Sequence, residues 1–254
     1  METSRITEIL DSSWGDPQGE FALSPSVLFV VAPDGSGRLF DLEDSFYAVD
    51  AVGADMLRRA LREDRETTTQ AMVQRFGVDV GRIRGDYGAL FADLEQRKLV
   101  YRQGFGPPAA PPRWRRLARV IPVLVGVTCR LPLRVQAPIL LGLARASITF
   151  FGWNETRQAW LRYSGPSAAV RGKTHEEIGD LVRRSAAGHL MGVSCKERSL
   201  CCMALCRAAG IPASVVLGIS LFPLASHCWC ESPTGSLTDF ADRCEGYTPV
   251  AAYA

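Results

Sequence analysis

The sequence predicts an α+β protein of two domains. The first is a winged-helix-like unit of three strands and three helices; in the second, helices lead into an antiparallel hairpin. Three observations carry that expectation. Short Val-, Phe- and Tyr-rich runs precede helical patterns in the first hundred residues. The stretch "GFGPPAAPPRWRR" then places four prolines within six residues, which favours an extended, semi-rigid spacer. Finally, the charge changes sign: residues 1–100 carry 11 Lys+Arg against 18 Asp+Glu, a net of −7, and residues 101–254 carry 18 against 9, a net of +9. The expected boundaries are a first domain at 1–104, a proline-rich linker at 105–116 and a second domain at 117–254.

Within the first domain, "VLFVVAP", "RLFDLE" and "SFYAVD" read as strands of a small antiparallel sheet, with Asp34-Gly35 in the turn between the first two. Helices are expected at 52–61, 67–76 and 83–99, with Thr67 as an N-cap and Gly77 as a helix stop. Ile83, Tyr87, Leu90, Phe91 and Leu94 share one face of the third helix. This domain has neither Cys nor His, so a binding module is its natural reading.

The second domain begins with an arginine-studded, mostly helical stretch to about residue 190. A cysteine-rich helix, the strand "ASVVLGISL" and the hairpin "SHCWCESPTGSLTDF" follow, the cluster Ser232-Pro233-Thr234-Gly235 supplying the hairpin's turn. Four arginines and three prolines interrupt the apolar stretch 117–148. No transmembrane span is expected there, and an amphipathic segment in peripheral contact with a membrane stays open. No secretory signal is visible at the N-terminus, which makes a cytoplasmic, reducing setting the default. The arginines are not interleaved with aromatics and the winged-helix-like half is acidic, so no nucleic-acid partner is expected.

Four of the eight cysteines fall within the stretch "CKERSLCCMALC". Ser194 followed three residues later by Glu197 is a capping box, and Gly210-Ile211-Pro212 is a stop, so a helix is expected from 195 to 209. Cys195 then sits in the first turn, where free N–H groups and the positive dipole end stabilise a thiolate. Cys202 and Cys206 lie along the helix body and read as core residues; the roles of Cys201, Cys228, Cys230 and Cys244 stay open. A zinc site is the rival reading, weakened by the lack of any Cys-x-x-Cys knuckle. Of three histidines, His175 lies beside acidic residues at a helix start and His189 in a loop-like segment. His227 lies on the first hairpin strand. With pairing centred on Pro233, Asp239 faces His227 across the hairpin, and a slip of one residue would turn it away; Asp242 is the fallback carboxylate. A thiol at a helix start, a His and an Asp suit thiolate–imidazolium catalysis, with Cys195, His227 and Asp239 as the catalytic residues.

The run "CKERSLCCMALCRAAGIPASVVLGI", followed by "HCWCESPTGSLTD", resembles the transglutaminase-like B proteins of lasso-peptide biosynthesis. The matching positions include Cys195, Arg198, Ser199, Arg207, Gly210, Gly218, His227, Trp229, Glu231 and Asp239. The first half resembles the PqqD-like precursor-recognition element that accompanies this protease, and the order of the two is that of the fused form. The resemblance implies a PqqD-like domain followed by a transglutaminase-like, papain-like cysteine protease domain. It implies a leader peptidase whose partners are a ribosomal precursor peptide and an asparagine-synthetase-like lasso cyclase. No cofactor is expected: no Gly-Lys-Ser/Thr phosphate loop is present, so any ATP requirement falls to the cyclase. The leader is expected to add as a strand along the run from Phe46 and Tyr47 through Ala48 and Val49, with Tyr87 and Phe91 of the third helix beside it. The alternatives are an acyltransferase of the transglutaminase or arylamine-acetyltransferase kind, and a zinc-binding peptide-recognition scaffold.

Overall fold

The computed structural model describes residues 8–10, 19–42, 45–105, 119–163, 165, 167, 169–221 and 223–254. The chain divides into two compact units, Met1–Ala110 and Pro111–Ala254. Most of the expected linker, residues 106–116, lies outside the described residues.

In the N-terminal unit, strands β1 (Glu8–Leu10), β3 (Val27–Val31), β4 (Gly37–Asp41) and β5 (Ser45–Val49) form an antiparallel sheet in the order β1-β3-β4-β5. A separate pair joins β2 (Phe21–Leu23) to β6 (Val100–Arg102). The turn between β3 and β4 is closed by Asp34, whose carboxylate accepts the N–H of Ser36 at 2.9 Å. Helices α1 (Ala51–Ala60), α2 (Arg65–Phe76) and α3 (Val80–Gln96) follow. Asp64, rather than Thr67, is the N-cap of α2; it accepts the Thr67 N–H at 2.8 Å. Gly77 ends α2 at φ 64°, as expected.

The periodic face of α3 is the core face. Tyr87 and Phe91 are each 2% exposed, Phe91 stacked on Phe21 at 4.2 Å and Tyr87 donating its hydroxyl to Glu20 at 2.7 Å. Neither offers a surface to a bound peptide, which corrects that part of the expected leader contact. The side of α3 that meets β5 is carried instead by Asp93 and Arg97. The Tyr47 hydroxyl donates to Asp93, and the Arg97 guanidinium lies 4.7 Å from the Tyr47 ring centre.

The C-terminal unit opens with α4 (Ile121–Thr128) and α5 (Leu133–Leu161), the latter broken at Gly152 with φ 78°. Next come α6 (His175–Ala187), α7 (Cys195–Ala209), β7 (Ser214–Leu221), β8 (Leu224–Ser232), β9 (Gly235–Ser236), α8 (Ala241–Glu245) and β10 (Thr248–Tyr253). The sheet is antiparallel with order β10-β7-β8-β9, so the C-terminal strand returns to pair with β7. Helix α7 packs on β8 and β7 with one side and on α5 and α6 with the others. A helix enclosed this way needs small apolar residues for close approach. Cys201, Cys202, Ala204, Cys206 and Ala208 supply them, all buried. Its C-terminus is held by Gly210 at φ 78° and by the Ile211 N–H, which reaches the Cys206 carbonyl at 2.8 Å. Arg207 crosses to the end of α5 and donates to the Leu161 and Tyr163 carbonyls, covering acceptors the helix end leaves free.

By length and composition, α5 is apolar enough to cross a membrane; a third of that apolar window, 33%, is buried inside the protein. The expectation of no such span rested on four arginines and three prolines in 117–148, of which α5 itself carries Arg134, Arg145 and Pro138.

Candidate active site

All eight cysteines are free, and all are buried except Cys195 and Cys244. Among the described residues, no group of three or more His, Cys, Asp or Glu is arranged to hold a metal ion. Cys195 occupies the first turn of α7 after Ser194, an extended residue whose N–H donates to Glu197 at 2.8 Å. Burial pushes the Cys195 thiol up. The His227 imidazole, the Cys228 N–H and the Lys196 charge together outweigh this and hold it below the ordinary thiol range. By contrast, burial pushes Cys129, Cys201, Cys228 and Cys244 up.

His227 stands on β8 directly opposite Gly218 of β7. Its ring lies between Trp229, at 6.0 Å, and Tyr247, at 5.1 Å. The glycine is required by this packing. A Cβ at Gly218 would stand 2.6 Å from the Trp229 ring and 2.8 Å from Tyr247 Cβ. Gly218→Ala is therefore expected to displace one or both rings, costing about 1–3 kcal/mol of stability. A shift of the imidazole by about 1 Å would lower activity on the order of 100-fold. Thermal unfolding together with a rate measurement checks this.

Asp239 reaches His227 by a route different from the one expected. Hairpin pairing is Glu231↔Ser236 and Ser232↔Gly235, one residue away from a register centred on Pro233. Continued regularly, that register would turn Asp239 to the opposite face. The ladder instead ends after the Leu237 N–H reaches the Cys230 carbonyl at 2.8 Å, and the chain bends. In the bend the Thr238 hydroxyl accepts the Cys230 N–H at 2.9 Å, and Arg183 of α6 donates to the Leu237 carbonyl. Gly179 lets α6 approach this closely, because a Cβ there would lie 2.5 Å from the Leu237 oxygen. The result sets Asp239 Oδ2 3.2 Å from His227 Nε2, with both side chains about 5% exposed or less. The contact is an ion pair that falls short of an aligned hydrogen bond, since neither buried atom has a partner of good hydrogen-bond geometry. Such contacts commonly tighten when substrate binds.

With Nε2 beside the carboxylate, Nδ1 is the ring nitrogen available to the Cys195 thiol. Asp239 first, and then Cys195, raise His227 to about 9 against the opposing effect of burial. Burial pushes Asp239 up, but His227, Arg198 and Arg243 together hold it below the ordinary carboxylate range. The two arginines each stand 3.6 Å from its oxygens. The shifts of Cys195 and His227 both run towards an imidazolium beside a thiolate, the form needed for nucleophilic attack followed by proton delivery to a leaving group. A cleft of about 280 Å³ opens next to it, lined among others by Val193, Arg198, Asp239, Phe240 and Arg243.

The other candidates sit elsewhere. Nε2 of His175 contacts the Thr234 hydroxyl at 2.7 Å, and His189 contacts the Pro138 and Met191 carbonyls, each at 3.1 Å. Asp242 is exposed and accepts the Arg243 N–H at 2.9 Å, so it is not the carboxylate beside His227. Tyr247 and Arg243 were not singled out in the sequence. Both lie beyond the hairpin, and only the return of the chain into β10 brings their segment to the site.

A thiol at a helix start, an imidazole on the sheet packed against it and a carboxylate in the bend after the hairpin are the groups that cysteine-dependent acyl transfer or hydrolysis uses. Residues 123–252, just over half of the chain, match the family model described as the Transglutaminase-like superfamily, and the chain belongs to that superfamily. Residues 36–100 match the model described as Coenzyme PQQ synthesis protein D (PqqD), so one chain joins a PqqD-like unit to a transglutaminase-like unit. No curated protein and no solved structure matches the chain.

Proposed function

We propose that this chain is a leader peptidase of lasso-peptide biosynthesis. In this reading the N-terminal unit captures the leader of a ribosomal precursor, and the C-terminal unit cuts at the leader–core junction. One observation supports it above the others: the chain that carries the Cys195–His227–Asp239 arrangement also carries a PqqD-like unit whose sheet, among the described residues, ends in an open edge. The pairing of precursor capture with a peptidase-like unit fits maturation of a ribosomal peptide.

In the proposed reaction the Cys195 thiolate attacks the carbonyl carbon of the scissile peptide bond, and His227 gives its proton to the departing core amine. Water, deprotonated by the now neutral His227, then hydrolyses the thioester between Cys195 and the leader, returning the thiol and a leader carboxylate. Asp239 keeps the imidazole oriented throughout. The backbone N–H of Cys195, at the helix N-terminus, is a suitable donor to the oxyanion. The freed amine passes to an asparagine-synthetase-like cyclase, the proposed partner enzyme.

Among the described residues β5 pairs with β4 alone and forms one edge of its sheet, so an extended leader could add there. Phe46 is exposed, and Tyr47 is partly open against Asp93 and Arg97, whereas Val49 points inward. Hydrogen exchange of the full chain with and without leader peptide is the test. Slowed exchange should be concentrated in β5, with Tyr47→Ala weakening leader binding about 10-fold or more. Slowing confined to the C-terminal unit would contradict the placement.

Superfamily membership favours one second reading, transfer of the acyl group to an amine rather than to water. The same thioester serves both reactions, and the mass of the released leader separates them.

A further inference from the structure

Among the described residues, one face of helix α4 is apolar and uncovered. Val123, Leu124 and Val127 follow Val120 at helical spacing on its outer side and are exposed, Val123 at 62% and Val127 at 55%. Helix α5, which packs against α4, continues the pattern on its own outer side: Val135, Ile139 and Phe150 are exposed, Phe150 at 67%. The opposite side of α5 is committed to the protein, where Leu140, Leu141 and Ala144 are buried and Arg145 meets Glu197 of α7 at 3.6 Å. The helix therefore cannot leave the unit to span a bilayer without baring that face and the α7 surface beneath it.

Along the two helices the charge has one sign. Residues 119–154 contain four arginines and no Asp or Glu. Arg119 and Arg130 bracket α4, and Arg134 opens α5. All three are exposed, and none makes an ion pair among the described residues. Two copies of this surface would bring like charges together, so self-association is disfavoured. Among the described residues the stripe is aliphatic apart from one Phe and presents no Trp or Tyr, the aromatic anchors common in specific protein contacts. A shallow apolar helix face framed by arginines fits a fluid anionic interface, into which aliphatic side chains sink while guanidinium groups meet headgroup phosphates.

We propose that the outer face of α4 and the adjoining side of α5 dock on the surface of an anionic phospholipid bilayer. Docked this way, the protein lies on the membrane with α4 parallel to it, in a peripheral and salt-sensitive association. The proposal is independent of the peptidase reading, because none of its residues touches Cys195, His227 or Asp239.

The test is sedimentation of the full chain with vesicles of phosphatidylglycerol mixed with phosphatidylcholine, and with vesicles of phosphatidylcholine alone. Binding is expected to the anionic vesicles, at least about 10-fold tighter than to the neutral ones, and to be largely lost in high salt. The triple substitution of Arg119, Arg130 and Arg134 by Gln should reduce anionic binding about 100-fold, at about 1 kcal/mol per basic residue. Val123→Asp with Val127→Asp should abolish it. Both variants change only exposed side chains, so circular dichroism and alkylation of Cys195 should match the wild type. Failure of the wild type to sediment with anionic vesicles overturns the proposal. Equal binding to both vesicle types, or undiminished binding by the folded variants, does so as well.

Discussion

Replacing Cys195 by alanine is expected to lower precursor cleavage at least about 10⁴-fold, to the edge of detection, with thermal stability changed little. Cys195 is partly accessible and sits in the first turn of α7, where free N–H groups favour a thiolate. The effect is expected to be specific to this position. Cys202→Ala and Cys206→Ala remove fully buried side chains and should act mainly through stability, by about 1–2 kcal/mol each. Alkylation provides a check that needs no substrate. Below the ordinary thiol range, iodoacetamide should modify Cys195 first, because its thiol is held down while burial pushes the other accessible cysteine, Cys244, up. Rapid labelling that survives in Cys195→Ala would count against the assignment.

Asp239→Asn is expected to keep the fold and lose about 10²–10⁴ in rate, since the neutral amide no longer fixes the imidazole's orientation or favours its charge. It should also change the pH profile in a definite direction. The competent form pairs a thiolate with an imidazolium. Activity therefore rises as pH passes the lowered value of Cys195 and falls as pH passes that of His227, about 9. Asp239 is the largest of the influences that raise His227, so its loss should move the alkaline limb to lower pH. Asp242→Asn, on an exposed side chain away from His227, should be near neutral in both rate and profile. A purely structural role for Asp239 would lower the rate without moving the alkaline limb.

The helix that presents Cys195 was legible because its ends are marked locally, by Ser194 with Glu197 at one end and Gly210 at the other. The pairing of His227 with Asp239 was legible in its partners but not in its path. The turn at Pro233-Thr234 fixes a register that would separate them, and the correction comes from a bend held by Thr238 and by Arg183 of a distant helix. Tyr247 was hidden for a similar reason, since its place beside His227 depends on β10 crossing back to β7. In the N-terminal unit the 3.6-residue pattern of α3 identified Tyr87 and Phe91 as one face. That regularity is itself the mark of a core face, and the residues that meet Tyr47, Asp93 and Arg97, lie off it. Periodicity reports which side is buried; the polar residues beside an open strand edge leave no comparable signature.

The most direct test of leader cleavage is the mass of what the full chain makes from a ribosomal lasso precursor peptide. The account predicts two fragments, a leader with a free carboxylate and a core with a free amine, whose masses sum to the precursor plus one water. Neither should form with Cys195→Ala. Intact precursor after prolonged incubation with folded, alkylation-competent protein would contradict it, as would the same two fragments produced at full rate by Cys195→Ala.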